Sequence, residues 1–239
     1  MKKYIPIIKF VLLLVLVVFL FSFTQKRNAS RKLSKIDIEF LDENDPFITL
    51  STVNKLLVQN SDSVTGVDKE ALVLKEMESR LLTNAMIRNA QVYVTVDGVL
   101  GAKIEQRNPI GRVAASPNYY LDEDGKKMPL SSVYAARVPI ITGRSTTNFT
   151  EITPLLVNIV EDDFMRQSVV GVQLTEEGNV IMKLRTYDFD VHFGKVKNIA
   201  LKFQNFKAFY QKTKEDKTLQ RYKKIDLQFG NQVVATKTE

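Results

Sequence analysis

Few residues in this chain could do chemistry. Among its 239 residues there is no cysteine and a single histidine. That removes disulfide frameworks, thiol nucleophiles, cysteine zinc sites and every catalytic scheme that needs two histidines. The histidine, His192, lies in FDVHFGK within an expected strand. With no second histidine or cysteine nearby it reads as a structural residue rather than a ligand or a base. Two carboxylate clusters remain, Asp122-Glu123-Asp124 and Glu161-Asp162-Asp163, of the kind that metal binding or glycoside hydrolysis requires. The first runs into Gly125 as a turn signal and the second falls on an expected helix surface, so neither is read as a catalytic centre. No catalytic residue, metal site or cofactor is expected.

The elements that must position any binding residues are therefore the next question. At 44% hydrophobic and 26% charged, the chain is too apolar for a disordered protein and long enough for one large or two small cores. Its net charge of +7 is unevenly spread. Residues 1–35 hold eight basic and no acidic residues, leaving 26 basic against 27 acidic for the rest. A nucleic-acid reading therefore has no support in the body of the protein.

The basic end surrounds an apolar run, FVLLLVLVVFLFSF, at residues 10–23. Counted over residues 4–23, the stretch is about one bilayer span. Lys9 can snorkel to the interface, and Pro6 falls in the first turn, where its missing N–H is not needed. The residues that follow offer a poor signal-peptidase site, which favours an uncleaved anchor over a cleaved signal. Residues 1–3 are then a tail and residues 24–34, polar and basic, a juxtamembrane linker. Counting charges alone would put the C-terminal side in the cytoplasm.

Beyond the linker, Ile36, Ile38 and Phe40 alternate with Asp37 and Glu39 as in a half-buried strand. Thr49 or Ser51 can cap a short helix through Val53, Leu56 and Leu57, and Asp68 a longer one to about Leu82. AQVYVTV and VLGAKIEQ flank Asp97-Gly98, the signature of a two-residue hairpin turn. The order is β-α-α-β-β. After Pro109 come Tyr119-Tyr120-Leu121 and its acidic turn, a strand near residues 138–142, and a helix with Thr153 as cap and Pro154 at its first position. Strands at 168–174 and 179–193, an amphipathic helix over 195–212 and a final strand over 222–235 complete the list.

This order, the junction EQRNPIGR at 105–112, YYLDEDGKKMPLS at 119–131, VPIITG at 138–143 and IDLQFGNQVV at 225–234 resemble the bacterial cell-division family FtsQ/DivIB. The likeness covers essentially the whole chain. It implies an α+β protein: a transmembrane helix at 4–23, a POTRA domain at 35–107, and a C-terminal β domain at 108–239 of mixed and antiparallel sheet with flanking helices. It also implies a non-enzymatic scaffold in the cytoplasmic membrane, with its N-terminus in the cytoplasm and its bulk outside. The same likeness overrides the charge count. The implied partners are the bitopic proteins FtsB and FtsL, with no nucleic acid and no small-molecule substrate.

In the final strand, Ile225, Leu227 and Phe229 alternate with Asp226 and Gln228, and a strand near a terminus is often an edge that can accept a partner strand. In the family FtsB adds there. The expected partner-binding residues are Tyr222, Lys223, Ile225, Leu227, Gln228, Phe229 and Gln232. By resemblance Gln228 stands where Arg is frequent and Phe229 where Tyr is, so the aromatic is kept and the charge is lost. Residues 195–239 hold 11 basic and 4 acidic residues against 15 and 23 over 36–194, a polarity suited to steering an acidic partner segment. Two other classes compete: a cell-envelope hydrolase, with its signal cleaved or retained, and a POTRA-type envelope chaperone. The chaperone would call for tandem POTRA units or a long barrel, which 239 residues do not hold.

Overall fold

The computed structural model describes residues 5–29, 35–41, 46–58, 73–144, 149–230 and 232–238. It divides into two compact units, Met1–Gln106 and Arg107–Glu239.

The first unit opens with helix α1, Ile5–Ala29. The helix continues past Phe23, so the first part of the expected linker is helical; the expected tail at 1–3 lies outside the described residues. Every apolar side chain between residues 10 and 23 is more than half exposed. Among the described residues no helix is long and apolar enough to cross a membrane, and the described side chains of α1 run only from Lys9 to Gln25.

Strand β1 (Lys35–Phe40), helices α2 (Leu50–Leu57) and α3 (Leu74–Leu82), and strands β2 (Ile87–Val94) and β3 (Val99–Gln106) follow in the expected order. Thr49 caps α2, its side-chain oxygen accepting from the Thr52 N–H at 3.1 Å, which satisfies one of the orphan donors of the first turn. Asp68, the expected cap of the next helix, lies outside the described residues; the described helix begins after Val73, which makes no side-chain cap. The β2–β3 connection also differs from expectation. The Thr95 N–H donates to the Val99 carbonyl at 2.9 Å and Thr95 Oγ1 accepts from the Val99 N–H at 3.0 Å. Three residues, Val96, Asp97 and Gly98, therefore form the loop, because the threonine side chain closes the ladder one step early. The sheet order is β1-β3-β2, with β1 parallel to β3 and β2 antiparallel to it. Val53, Leu57, Met77 and Leu81 from the helices and Ile87, Leu100 and Ile104 from the strands are all buried.

The second unit is one mixed sheet with helices. Its strands are β4 (Pro109–Val113), β5 (Tyr119–Asp122), β6 (Lys127–Pro129), β7 (Ile140–Gly143), β8 (Val169–Leu174), β9 (Val180–Leu184), β10 (Asp190–Gly194), β11 (Tyr222–Asp226) and β12 (Val234–Lys237). They are arranged β12-β11-β10-β9-β8-β7-β4-β5-β6. Helices α4 (Thr153–Glu161), α5 (Asp163–Ser168) and α6 (Ile199–Glu215) supply Leu155, Leu156, Ile159, Met165, Phe203 and Phe206 to its core. Thr153 is the first residue of α4 rather than its cap, and its hydroxyl donates back to the Phe149 carbonyl at 2.9 Å. The expected strand over 179–193 is two strands, β9 and β10, paired antiparallel.

The largest departure is at the C-terminus. The expected single strand over 222–235 is a hairpin. β11 lies between β10, to which it is parallel, and β12, to which it is antiparallel. Gly230, at φ 52°, takes the left-handed backbone that a glycine adopts without strain. The Gln232 N–H donates to the Phe229 carbonyl at 3.0 Å and closes the turn. Residues 222–226 are thus an interior strand, and among the described residues the edge of the sheet on this side is β12.

Candidate functional site

The C-terminal hairpin separates residues that its sequence presents as equivalents. Ile225 and Leu227 are 0% and 2% exposed and belong to the core. Burial of each is worth about 1.5–3 kcal/mol, so their first role is to hold β11. Phe229, two residues on, is 53% exposed, and Val234, at the start of β12, is 41% exposed. The strand alternation ends at Leu227, where regular pairing stops, so Phe229 no longer shares its inward face. Val234 was not among the expected site residues; the Gly-Asn pair at residues 230 and 231 is the hairpin signal that would have located it.

The other expected residues fall at the two ends of the hairpin. At one end Tyr222 is half-buried, its ring edge-on to Phe209 at 5.2 Å. With exposed Lys223 it lines a cavity of about 470 Å³ that also takes in Tyr187, Phe189, Gln220 and Thr238. Tyr187 and Tyr210 meet edge-to-face at 5.8 Å, and burial together with the hydrogen bond that the Tyr210 hydroxyl donates to Tyr187 pushes that hydroxyl up to about 12. At the other end Gln228 is exposed, but its N–H donates to Asp226 Oδ1 at 3.0 Å and its amide to Oδ2 at 3.4 Å. Gln232 is exposed beside it.

Asp226 is the buried charge of the site, and Lys224 Nζ stands 3.0 Å from its Oδ2. Burial works to raise its pKa, but the bonds from Lys224 and Gln228 outweigh that and hold the carboxyl below its ordinary value. On the neighbouring strand, His192 lies opposite Asp226 in the parallel register. Burial, aided by Lys224 and Lys183, lowers its pKa against the opposing pull of Asp226 and Asp190. His192 is therefore harder to protonate than a free imidazole, beside the Lys224–Asp226 pair.

Several lysines behind the positive C-terminal region are engaged internally. Lys202 Nζ donates to the carbonyls of Phe193 at 2.6 Å and Lys195 at 3.0 Å and sits 4.3 Å from the Phe193 ring centre. Burial lowers its pKa. Lys207 pairs with Asp162, and Lys212 with Asp216 at 3.2 Å. The carboxylate clusters are likewise committed. Asp122 is buried and accepts from Arg107 Nη1 at 2.6 Å and from the Asp124 and Lys126 N–H groups at 3.0 and 2.7 Å. Asp162 caps α5 through the Met165 N–H at 3.0 Å.

What the hairpin can do chemically is pair backbone. β11 has a neighbour on each side, whereas among the described residues β12 has one on one side only. Such an edge is a template for another strand.

Two family models match the chain. A POTRA-like domain matches residues 31–105, and the model described as FtsQ/DivIB, C-terminal related, matches residues 108–236. No curated protein matches it. The second match spans more than half the chain and ends within β12; together with the β-α-α-β-β unit and the mixed sheet that precede that edge, it shows that the chain belongs to the FtsQ/DivIB family of cell-division proteins.

Proposed function

We propose that this protein is a non-enzymatic scaffold of septum assembly that captures FtsB- and FtsL-type bitopic partners by accepting a partner strand on β12. The observation that carries this reading is the unpaired side of β12, bordered by the exposed apolar groups of Phe229 and Val234. Main-chain bonds along such an edge supply affinity, and alternate side chains supply register and choice of partner. The proposed anchor is α1. The apolar run at residues 10–23 lies within it, and a stretch of about 20 residues at 1.5 Å per residue matches a hydrocarbon layer of about 30 Å. Its exposed apolar surface has a natural cover in lipid. The bulk of the chain then lies outside the cytoplasmic membrane, with the N-terminus in the cytoplasm.

Co-purification from cells tests the reading. Phe229→Asp combined with Val234→Asp is expected to abolish recovery of the FtsB-type partner while the protein still fractionates with the membrane. Undiminished recovery would overturn strand capture at this edge.

A further inference from the structure

At the other end of the same sheet, where β4 and β7 finish, β5 begins and β6 ends, lies a groove of about 730 Å³. Its lining is mainly apolar, with Val113, Met128, Ile141 and Phe149 buried in it. Among the described residues of that lining the charged groups are Lys127 and Arg144, both exposed, with no carboxylate. Lys127 Nζ lies 4.8 Å from the centre of the Tyr119 ring. The Arg144 N–H donates to the Leu174 carbonyl at 3.0 Å, which fixes the arginine at the end of β7. Neither cation has an ion-pair partner among the described residues. At the end of β7, Gly143 at φ 96° lies against β8, where a Cβ would overlap the Leu174 carbonyl oxygen.

A second strand is not what this rim is built to take. β6 has three residues and ends in Pro129, which has no N–H to offer. Recognition here has to run through side chains: apolar groups that fill the groove and anions that meet its two cations. A peptide that alternates acidic and apolar residues carries both, and two cations with no carboxylate among the described lining residues select it over a basic one. We infer that this groove binds a short acidic segment of a partner protein, distinct from any partner held at β12.

The test is fluorescence anisotropy of the full chain in lipid nanodiscs with the labelled peptide acetyl-Leu-Glu-Val-Asp-Phe-Glu-amide. The acidic probe binds at least tenfold more tightly than its counterpart with lysine at the acidic positions. Lys127→Glu with Arg144→Glu weakens it at least tenfold, and so does Ala115→Trp, which fills the groove from an exposed position without changing charge. Val234→Asp, at the opposite edge, leaves probe binding unchanged. Equal affinity for the two probes, or binding indifferent to Ala115→Trp, overturns the inference. Displacement of the probe by tripolyphosphate at matched charge overturns it as well, because the site would then be one for bare anions.

Discussion

At one edge of the nine-stranded sheet, β12 presents four residues without proline, with Phe229 and Val234 exposed beside it. At the other, β6 presents three and ends in Pro129, next to a groove carrying Lys127 and Arg144. Both ends border a single core, yet they offer different chemistry. The first offers main-chain donors and acceptors whose pairing is indifferent to sequence. The second offers shape and charge. On the proposed reading this division lets one sheet hold two partners, because a segment suited to one end has little to gain at the other.

The harshest way to break the comparison is to disturb the core that carries both ends. Leu227→Asp places an unpaired charge in a position that is 2% exposed and is expected to destabilise the second unit by on the order of 4 kcal/mol. Thermal unfolding followed by circular dichroism checks this, and both edges fail together. Phe229→Asp sharpens the comparison, since the side chain is 53% exposed. Stability should stay within about 0.5 kcal/mol of the parent, while partner recovery falls at least tenfold. Two residues of one apolar alternation thus separate folding from binding.

Acid titration gives a smaller effect, confined to the β12 end. The lowered pKa of Asp226 means that its contribution to stability is complete above the unfolded value of 3.8 and is lost as pH falls through the lower folded value. Asp226→Asn should flatten the stability profile in that window, measured by denaturant unfolding from pH 5 to pH 2. The lowered pKa of His192 has the same sign, since protonation below its ordinary 6.5 is disfavoured in the fold. Its loss of stability begins at higher pH. The smallest effect is expected from Lys223→Glu. Lys223 is exposed beside Tyr222, so the change should slow partner association a few-fold and reduce its salt dependence with little change in dissociation.

Much of this was legible in the sequence, for physical reasons that also mark where legibility ends. The β-α-α-β-β order follows from a period-two strand, a threonine cap and turn residues, all local signals. The inward positions of Ile225 and Leu227 follow from alternation alone. The fate of Phe229 does not, because alternation carries through Gln228 and Phe229 as if the strand went on, and only the Gly230-Asn231 pair hints that it stops. Thr95 lengthened a loop by one residue through a side-chain hydrogen bond that no dipeptide rule anticipates. The groove was unreadable in principle: its lining comes from the ends of four strands spread over residues 113–149, and nothing in their spacing says that those ends meet.

On the proposed function a partner strand lies against β12. The absence of cysteine from the chain makes it directly measurable: single cysteines placed one at a time along residues 222–237, in cells that carry a cysteine-bearing FtsB-type partner, report proximity by disulfide formation. Cross-links are expected at alternate positions of β12 and none at Ile225 or Leu227. Cross-links missing from β12, or spread evenly over the hairpin without alternation, would contradict it.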